Sequence, residues 1–261
     1  MGLLSRSDVD RTVYKTPPVN VFRSDLLIGY NPAVSELAFE DIWPVGGIRT
    51  WITTPTVLDV TSDNAADSAA GTGARTISLV GLDANLDIIT ETIAMNGLST
   101  VSTVQQFKRV SVADVVTSGT LNDSATNPNA GIITVKSGAN TQMTIQATAD
   151  GGSSGRQTGM HGSVGRGFNG YVDSLIVNAD PREDISFNLY IRKIVDPVGG
   201  SFPARIQPLK VFMASGLGEL TFPNPIVIPT EHDMWVTAKN IGVPGDVEVN
   251  VNAVLRLVKN A

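Results

Sequence analysis

Hydrophobic and polar residues alternate with a period of two along much of the chain, the pattern of strands with one buried face. In Arg75-Thr76-Ile77-Ser78-Leu79-Val80, Ile77 and Leu79 fall on one face, and Thr76, Ser78 and Val80 on the other. Ile185, Phe187, Leu189 and Ile191 share a face in the same way. Near the end, Val247, Val249, Val251, Ala253, Leu255 and Leu257 alternate with Glu248, Asn250, Asn252 and Arg256. Further strands are predicted at 57–61, 86–95, 99–107, 110–117, 131–136, 143–147, 171–178 and 234–239, with short pieces between prolines at 211–213, 220–222 and 226–228. No window carries the 3.6-residue period of a helix. Many short strands with closely spaced turn signals predict an all-β protein of antiparallel sandwich or jelly-roll type. Asn96-Gly97 between two of them predicts a tight type I′ hairpin.

This patterning divides the chain into three parts. Residues 57–150 read as a first β-sandwich domain and 151–261 as a second, with the glycine-rich stretch 150–170 as the boundary. Residues 1–56 lack clear periodicity and carry Val21, Phe22, Leu26, Leu27, Ile28, Trp43 and Trp51. One reading makes them an extended N-terminal arm, with a short strand or two, that docks on another molecule. Phe22, Leu26, Leu27, Trp43 and Trp51 are then the interaction residues, because interface cores favour aromatic anchors. The other reading gives them to the opening strands of the first sandwich, Trp43 and Trp51 most readily. Deleting residues 1–35 separates the two. An arm can be lost without unfolding the protein, whereas a core strand cannot.

Composition narrows the function. Charged residues make up only 17 % of the 261 residues and hydrophobic ones 42 %, which excludes a disordered chain. A net charge of −6 argues against general nucleic-acid binding, since phosphate neutralisation needs a basic surface. The absence of cysteine excludes thiol catalysis, Cys-based zinc sites and disulfide scaffolds, and it suits folding in a reducing cytoplasm. No secretory leader, myristoylation signal or membrane-spanning apolar run is read from the sequence.

Candidate chemistry is sparse. Gly165-Arg166-Gly167-Phe168-Asn169-Gly170 fits the spacing of a dinucleotide fingerprint, yet a strand rather than a helix is predicted after it, so a turn is the expectation. Glu231-His232-Asp233 is the one place where carboxylates flank a histidine, and successive strand residues point to opposite faces. Asp63, Asn64 and Asp67 lack the spacing of a calcium loop and read as a solvated turn. No serine elbow is present, and the sequon at Asn122 matters only in a secreted protein. The expectation is a non-enzyme with no catalytic residues, metal or cofactor.

Asp41-Ile42-Trp43-Pro44-Val45-Gly46-Gly47, the run Val60 to Thr76 containing Gly71-Thr72-Gly73-Ala74-Arg75-Thr76, Gly81-Leu82-Asp83-Ala84-Asn85, Glu91-Thr92-Ile93-Ala94-Met95-Asn96-Gly97 and Asn129 to Thr134 together resemble a recurrent family of tailed-bacteriophage virion structural proteins. The likeness covers roughly residues 40–147. More loosely, Gly170-Tyr171-Val172 and Ile226-Val227-Ile228-Pro229 resemble the β-sandwich module that follows in such proteins, although Arg166 to Gly170 replaces the family's Pro-Ala-Gly entry. The resemblance implies a virion component made in a host bacterial cytoplasm, and it carries over no catalytic residue.

The resulting expectation is a peripheral β-sandwich subunit of a phage particle. It would sit on the capsid exterior as decoration, or on the neck, tail or baseplate. Its partners would be copies of itself, in a ring or trimer, and other virion proteins, with neither nucleic acid nor membrane. Two rivals come from other classes. A host-surface carbohydrate-binding module of a phage tail needs an aromatic platform, and Trp43, Trp51 and Trp235 show no clustering in the sequence. A hydrolase needs a carboxylate pair in a cleft.

Overall fold

The computed structural model describes residues 21–120, 128–147, 155–179, 184–195, 204–214, 217–242 and 244–260. The sequon at Asn122, the Pro17-Pro18 break, most of the polar loop 118–130 and the expected boundary at 150/151 lie outside the described residues. All the elements in the described residues are β-strands in antiparallel sheets, as the alternation predicts.

The strands build two sandwiches, and one is inserted into the other. The outer sandwich has two sheets. In the first, β1 (Val21–Val34), β16 (Val247–Lys259), β11 (Phe168–Ala179) and β14 (Leu217–Ile228) lie side by side in that order. In the second, the order is β10 (His161–Val164), β15 (His232–Asn240), β12 (Asp184–Lys193) and β13 (Ile206–Ala214), with β2 (Glu40–Asp41) also paired to β15. Leu27, Val172, Val177 and Leu255 from the first sheet meet Phe187, Leu189, Met234 and Val236 from the second in one core. Each large side chain sealed there contributes roughly 1.5–3 kcal/mol.

The inserted sandwich takes the middle of the chain. Its sheets are β6 (Val101–Ser102), β3 (Asp59–Ser62), β8 (Ile133–Ser137) and β9 (Asn140–Ile145), against β5 (Ile88–Ala94), β4 (Ala74–Leu82) and β7 (Arg109–Ser118). Leu58, Ile77, Leu79, Phe107, Ile133, Met143 and Ile145 fill a separate core.

This arrangement differs from three expectations. Val21–Val34, assigned to the arm, is a 14-residue strand with a long antiparallel register against β16, from Arg23↔Leu257 to Asn31↔Val249. Its buried positions Leu27, Gly29 and Asn31 do alternate, but the polar and glycine members hide the pattern in the sequence. The second sandwich is therefore not confined to 151–261, because β1 and β2 belong to its sheets. The stretch between the prolines at 223 and 225 is one continuous strand, β14. It lies at the sheet edge, where a missing N–H costs no ladder bond.

The expected hairpin at Asn96-Gly97 also differs. β5 pairs with β4, and the chain after Gly97 crosses to the other sheet, where the short β6 pairs with β3. The turn sits one residue later, closed by the Ser99 N–H donating to Asn96 O at 3.1 Å. Gly97 has φ +59°, and a Cβ there would lie 3.1 Å from the Ala65 backbone. Gly97→Val should cost about 1–3 kcal/mol by forcing a β-branched residue to positive φ against that backbone. Chemical denaturation checks this, and an unchanged midpoint would refute it.

Candidate functional site

The loop at 62–75, read as a solvated Asp/Asn turn, is different at its centre. Asp67 is fully buried. Its Oδ1 accepts from the N–H groups of Ala74 and Ala130, each at 2.7 Å, and its Oδ2 accepts from Ser62 Oγ at 2.6 Å and Gly131 N–H at 2.9 Å. Four donors satisfy the carboxylate, which clamps two loops of the inserted sandwich together. Asp63 does the same on the surface, accepting from Ile132 N–H. Among the described residues no group of three or more His, Asp or Glu is placed to hold a metal ion.

Of the motif residues, Gly165–Gly167 form the turn between β10 and β11, where Gly167 has φ +78°, and Phe168–Gly170 open β11. His161 and His232 sit on neighbouring strands but out of register, since His161 pairs with Trp235 and His232 with Val164. His232 Nδ1 lies 2.7 Å from Thr230 O.

The polar residues that do converge lie between the two sandwiches. Arg109 opens β7 and Asp233 lies on β15, and both side chains are almost wholly withdrawn from solvent at 2 % and 0 % exposure. Arg109 Nε donates to both Asp233 oxygens at 2.9 and 3.0 Å, and Nη2 donates to Oδ2 at 2.9 Å. Its Nη1 donates to the carbonyls of Ile52 and Lys108 at 2.6 and 2.7 Å. Ser163 Oγ on β10 donates to Asp233 Oδ1 at 2.7 Å, and Arg192 on β12 approaches Oδ2 to 3.9 Å. One carboxylate thus ties three strands of the outer sandwich to the first residue of β7.

Aromatic rings pack around this pair. Trp51, Tyr190 and Trp235 form a buried cluster. The Trp51 and Trp235 centroids are 5.6 Å apart at 64°, and those of Tyr190 and Trp235 are 5.4 Å apart. The guanidinium groups of Arg49, Arg109 and Arg192 lie 4.7, 5.1 and 5.3 Å from the Trp51 ring, and that of Arg205 lies 4.2 Å from Tyr190. Such cation–π contacts hold guanidinium groups over the ring faces. The expectation that the tryptophans are scattered is corrected for Trp51 and Trp235, which the fold brings together from opposite ends of the chain.

Arg49 reaches the cluster through a compact turn. The Trp43 indole N–H donates to Gly46 O at 2.8 Å, Asp41 N–H donates to Gly47 O at 2.9 Å, and Arg49 N–H donates to Asp41 Oδ2 at 2.7 Å. Arg49 Nη2 donates to Gln142 Oε1 at 3.3 Å across to the inserted sandwich. Burial raises the Asp41 pKa from 3.8 to about 6, against the opposing pull of Arg49, Arg192 and Arg205. Burial, then repulsion from Arg109, lowers Arg49 to about 9. Burial, then Arg49, holds His161 well below 6.5 and so neutral at pH 7.

These shifts act on stability with opposite signs. The folded protein keeps the Asp41 proton that the unfolded chain releases, so this contribution is complete below pH 3.8 and is lost as pH rises through about 6. His161 works the other way, because the unfolded imidazole takes up a proton below 6.5 that the folded one refuses, and stability falls as pH falls. Asp41→Asn should remove the Asp41 contribution and leave the others in place. Its melting temperature relative to the parent should climb between about pH 4 and pH 6 and then level off. A difference that does not vary with pH would exclude the assignment.

Of the five expected interaction residues, Phe22 and Leu26 are exposed at 59 % and 38 %, whereas Leu27, Trp43 and Trp51 are buried. Phe22 rests on Phe168, with centroids 4.9 Å apart. Leu26 faces outward opposite Val254. Beside the aromatic cluster, the segment 39–53 and the β12 and β15 strands of the outer sandwich border a cavity of about 570 Å³ whose lining includes Asp41, Arg49, Trp51, Tyr190, Arg192, Arg205, Trp235 and Thr237. The sequence reading passed over Arg49, Arg109 and Arg192, and it met Asp233 only as a flank of His232. The available signal was a lone charge inside an apolar strand, as in His232-Asp233-Met234-Trp235-Val236.

No protein-family model matches the chain, and no curated protein is similar to it at a significant level. Among solved structures, it is similar to one of the infectious bursal disease virus Gx strain, with 8% identity and a TM-score of 0.23 over 91% of this chain and 73% of that one. It is also similar to the infectious bursal disease virus VP2 subviral particle, at 8% identity and a TM-score of 0.20, over 97% of this chain and 82% of that one. At such scores the paths of the paired chains differ over most of their length.

Proposed function

We propose that this chain is a non-enzymatic structural subunit of a bacteriophage virion. It docks on the capsid exterior as decoration, or on the neck, tail or baseplate, and it associates with copies of itself and with other virion proteins. The observation that carries this reading is strand β1. It lies at the end of its sheet, so its outer edge faces away from β16, and it bears the exposed Val21, Phe22 and Leu26. A long edge strand offers a row of N–H and C=O groups for pairing with another chain. The large exposed side chains add an apolar anchor. The resemblance over residues 40–147 supports the phage assignment.

The Phe22→Asp, Leu26→Asp double variant tests it. Both side chains are exposed, so the fold should keep its melting transition. Association with itself, measured by light scattering, and incorporation of tagged protein into particles should both fall sharply. A double variant that still assembles, or a full-length protein that remains monomeric and absent from purified particles, would overturn the proposal.

A further inference from the structure

Arginines crowd the rim of the aromatic cluster. Arg49, Arg109, Arg192 and Arg205 surround the aromatic cluster, while Asp41 and Asp233 are the carboxylates among them. His161 is held neutral. Among the described residues the arginines here outnumber the carboxylates, inside a chain of net charge −6. Asp233 is already bound on both oxygens by Arg109 and Ser163. Arg49 is buried and its guanidinium bonds only the neutral Gln142 side chain, and a buried cation is stable only when paired, so the site calls for an anion.

The unfilled hydrogen-bonding capacity indicates what kind of anion. Arg49 Nε and Nη1, Asp41 Oδ1 and Thr237 Oγ1 are buried and have no partner within the protein. All three residues are more than nine-tenths buried and line the cavity. Arginine N–H groups suit a carboxylate. The Asp41 oxygen and the Thr237 hydroxyl accept from, or bond to, hydroxyl groups. Around them Trp51, Tyr190 and Trp235 supply the apolar wall that fits the C–H face of a sugar ring. A volume of about 570 Å³ falls in the range of small-molecule sites.

We infer that this cavity, on the outer sandwich beside the segment 39–53, binds a sugar that carries a carboxylate. Arg49 and Arg205 hold the acid group, while Asp41 and Thr237 engage the hydroxyls. The site stands independently of the assembly role, since a subunit at any station on a particle can present it.

Tryptophan fluorescence and calorimetry on the full chain test this, with glucuronate and N-acetylneuraminate as probes and glucose and inorganic phosphate as comparisons. At least one acidic sugar should bind saturably at one site per chain and change the tryptophan emission. Glucose should bind at least roughly tenfold more weakly, the loss expected for one charge-assisted hydrogen bond. Phosphate should not compete at equal concentration. Arg205→Gln, at an exposed position where folding is insensitive, and Thr237→Val should each weaken the acidic sugar by roughly tenfold. Failure of both acidic sugars to saturate, equal binding of glucose, or full competition by phosphate would each overturn the inference. Particle incorporation of Arg205→Gln, measured alongside, reads the assembly role separately and should be unchanged.

Discussion

Replacing Asp233 by alanine should destabilise the protein by about 3–5 kcal/mol, the range for leaving one member of a buried ion pair without its partner. The cost comes less from a lost attraction than from what remains. Arg109 is 2 % exposed, and its three hydrogen bonds to the carboxylate have no replacement. Ser163 and Arg192 lose the same acceptor. The Arg109→Met, Asp233→Leu double variant should recover most of the loss, because apolar residues of similar volume need no counter-charge. Urea denaturation monitored by tryptophan emission measures both. The single variant should also separate unfolding into two steps, since the pair joins two sandwiches with independent cores. A single variant that unfolds in one step with parental stability would refute this role.

Deleting residues 1–35 should abolish folding of the outer sandwich. The deletion removes β1 whole, and with it Leu27 and Val34, both wholly buried in the main core. Losing two such aliphatic side chains costs about 2–5 kcal/mol each by the usual core-truncation scale. It also strips the ladder partner from β16 and the Leu26 carbonyl that accepts from Gln157 Nε2. The expected product is aggregated or molten, without a cooperative melting transition by circular dichroism. A deletion that stops at residue 20 keeps β1 and separates loss of the strand from loss of the residues before it. A soluble 1–35 deletion with a normal transition would restore the arm.

The fold class was legible because alternation is a local signal. In 247–258 every second residue is aliphatic, and each of those is buried in the structure. The strands that escaped detection are those whose inward positions are not aliphatic. β10 reads His-Gly-Ser-Val and lies inside a glycine-rich stretch, yet all four residues are buried. A Cβ at Gly162 would sit 2.8 Å from Leu255 Cδ2, so a larger residue there would make that leucine shift. β1 escaped for a similar reason, with Gly29 and Asn31 at buried positions. The junction between the sandwiches was illegible for a different reason. Arg49, Arg109, Arg192 and Asp233 come from four separate segments, and only the nesting of one sandwich in the other brings them together. Short-range spacing carries no trace of such an encounter.

That nesting sets an order of folding during synthesis. As the chain leaves the ribosome β1 appears first, and its ladder partner β16 appears last. The inserted sandwich, whose strands run from Asp59 to Ile145, can close on itself in the meantime, because the ladders of its two sheets lie within that stretch. The outer sandwich is left with contacts between the two extremes of the sequence, the kind that form slowest. Until the final strand emerges, β1 has both edges open and Leu27 uncovered. Premature association through β1 would then compete with folding, so the strand proposed to join subunits in the finished particle is also the one the nascent chain must keep apart longest.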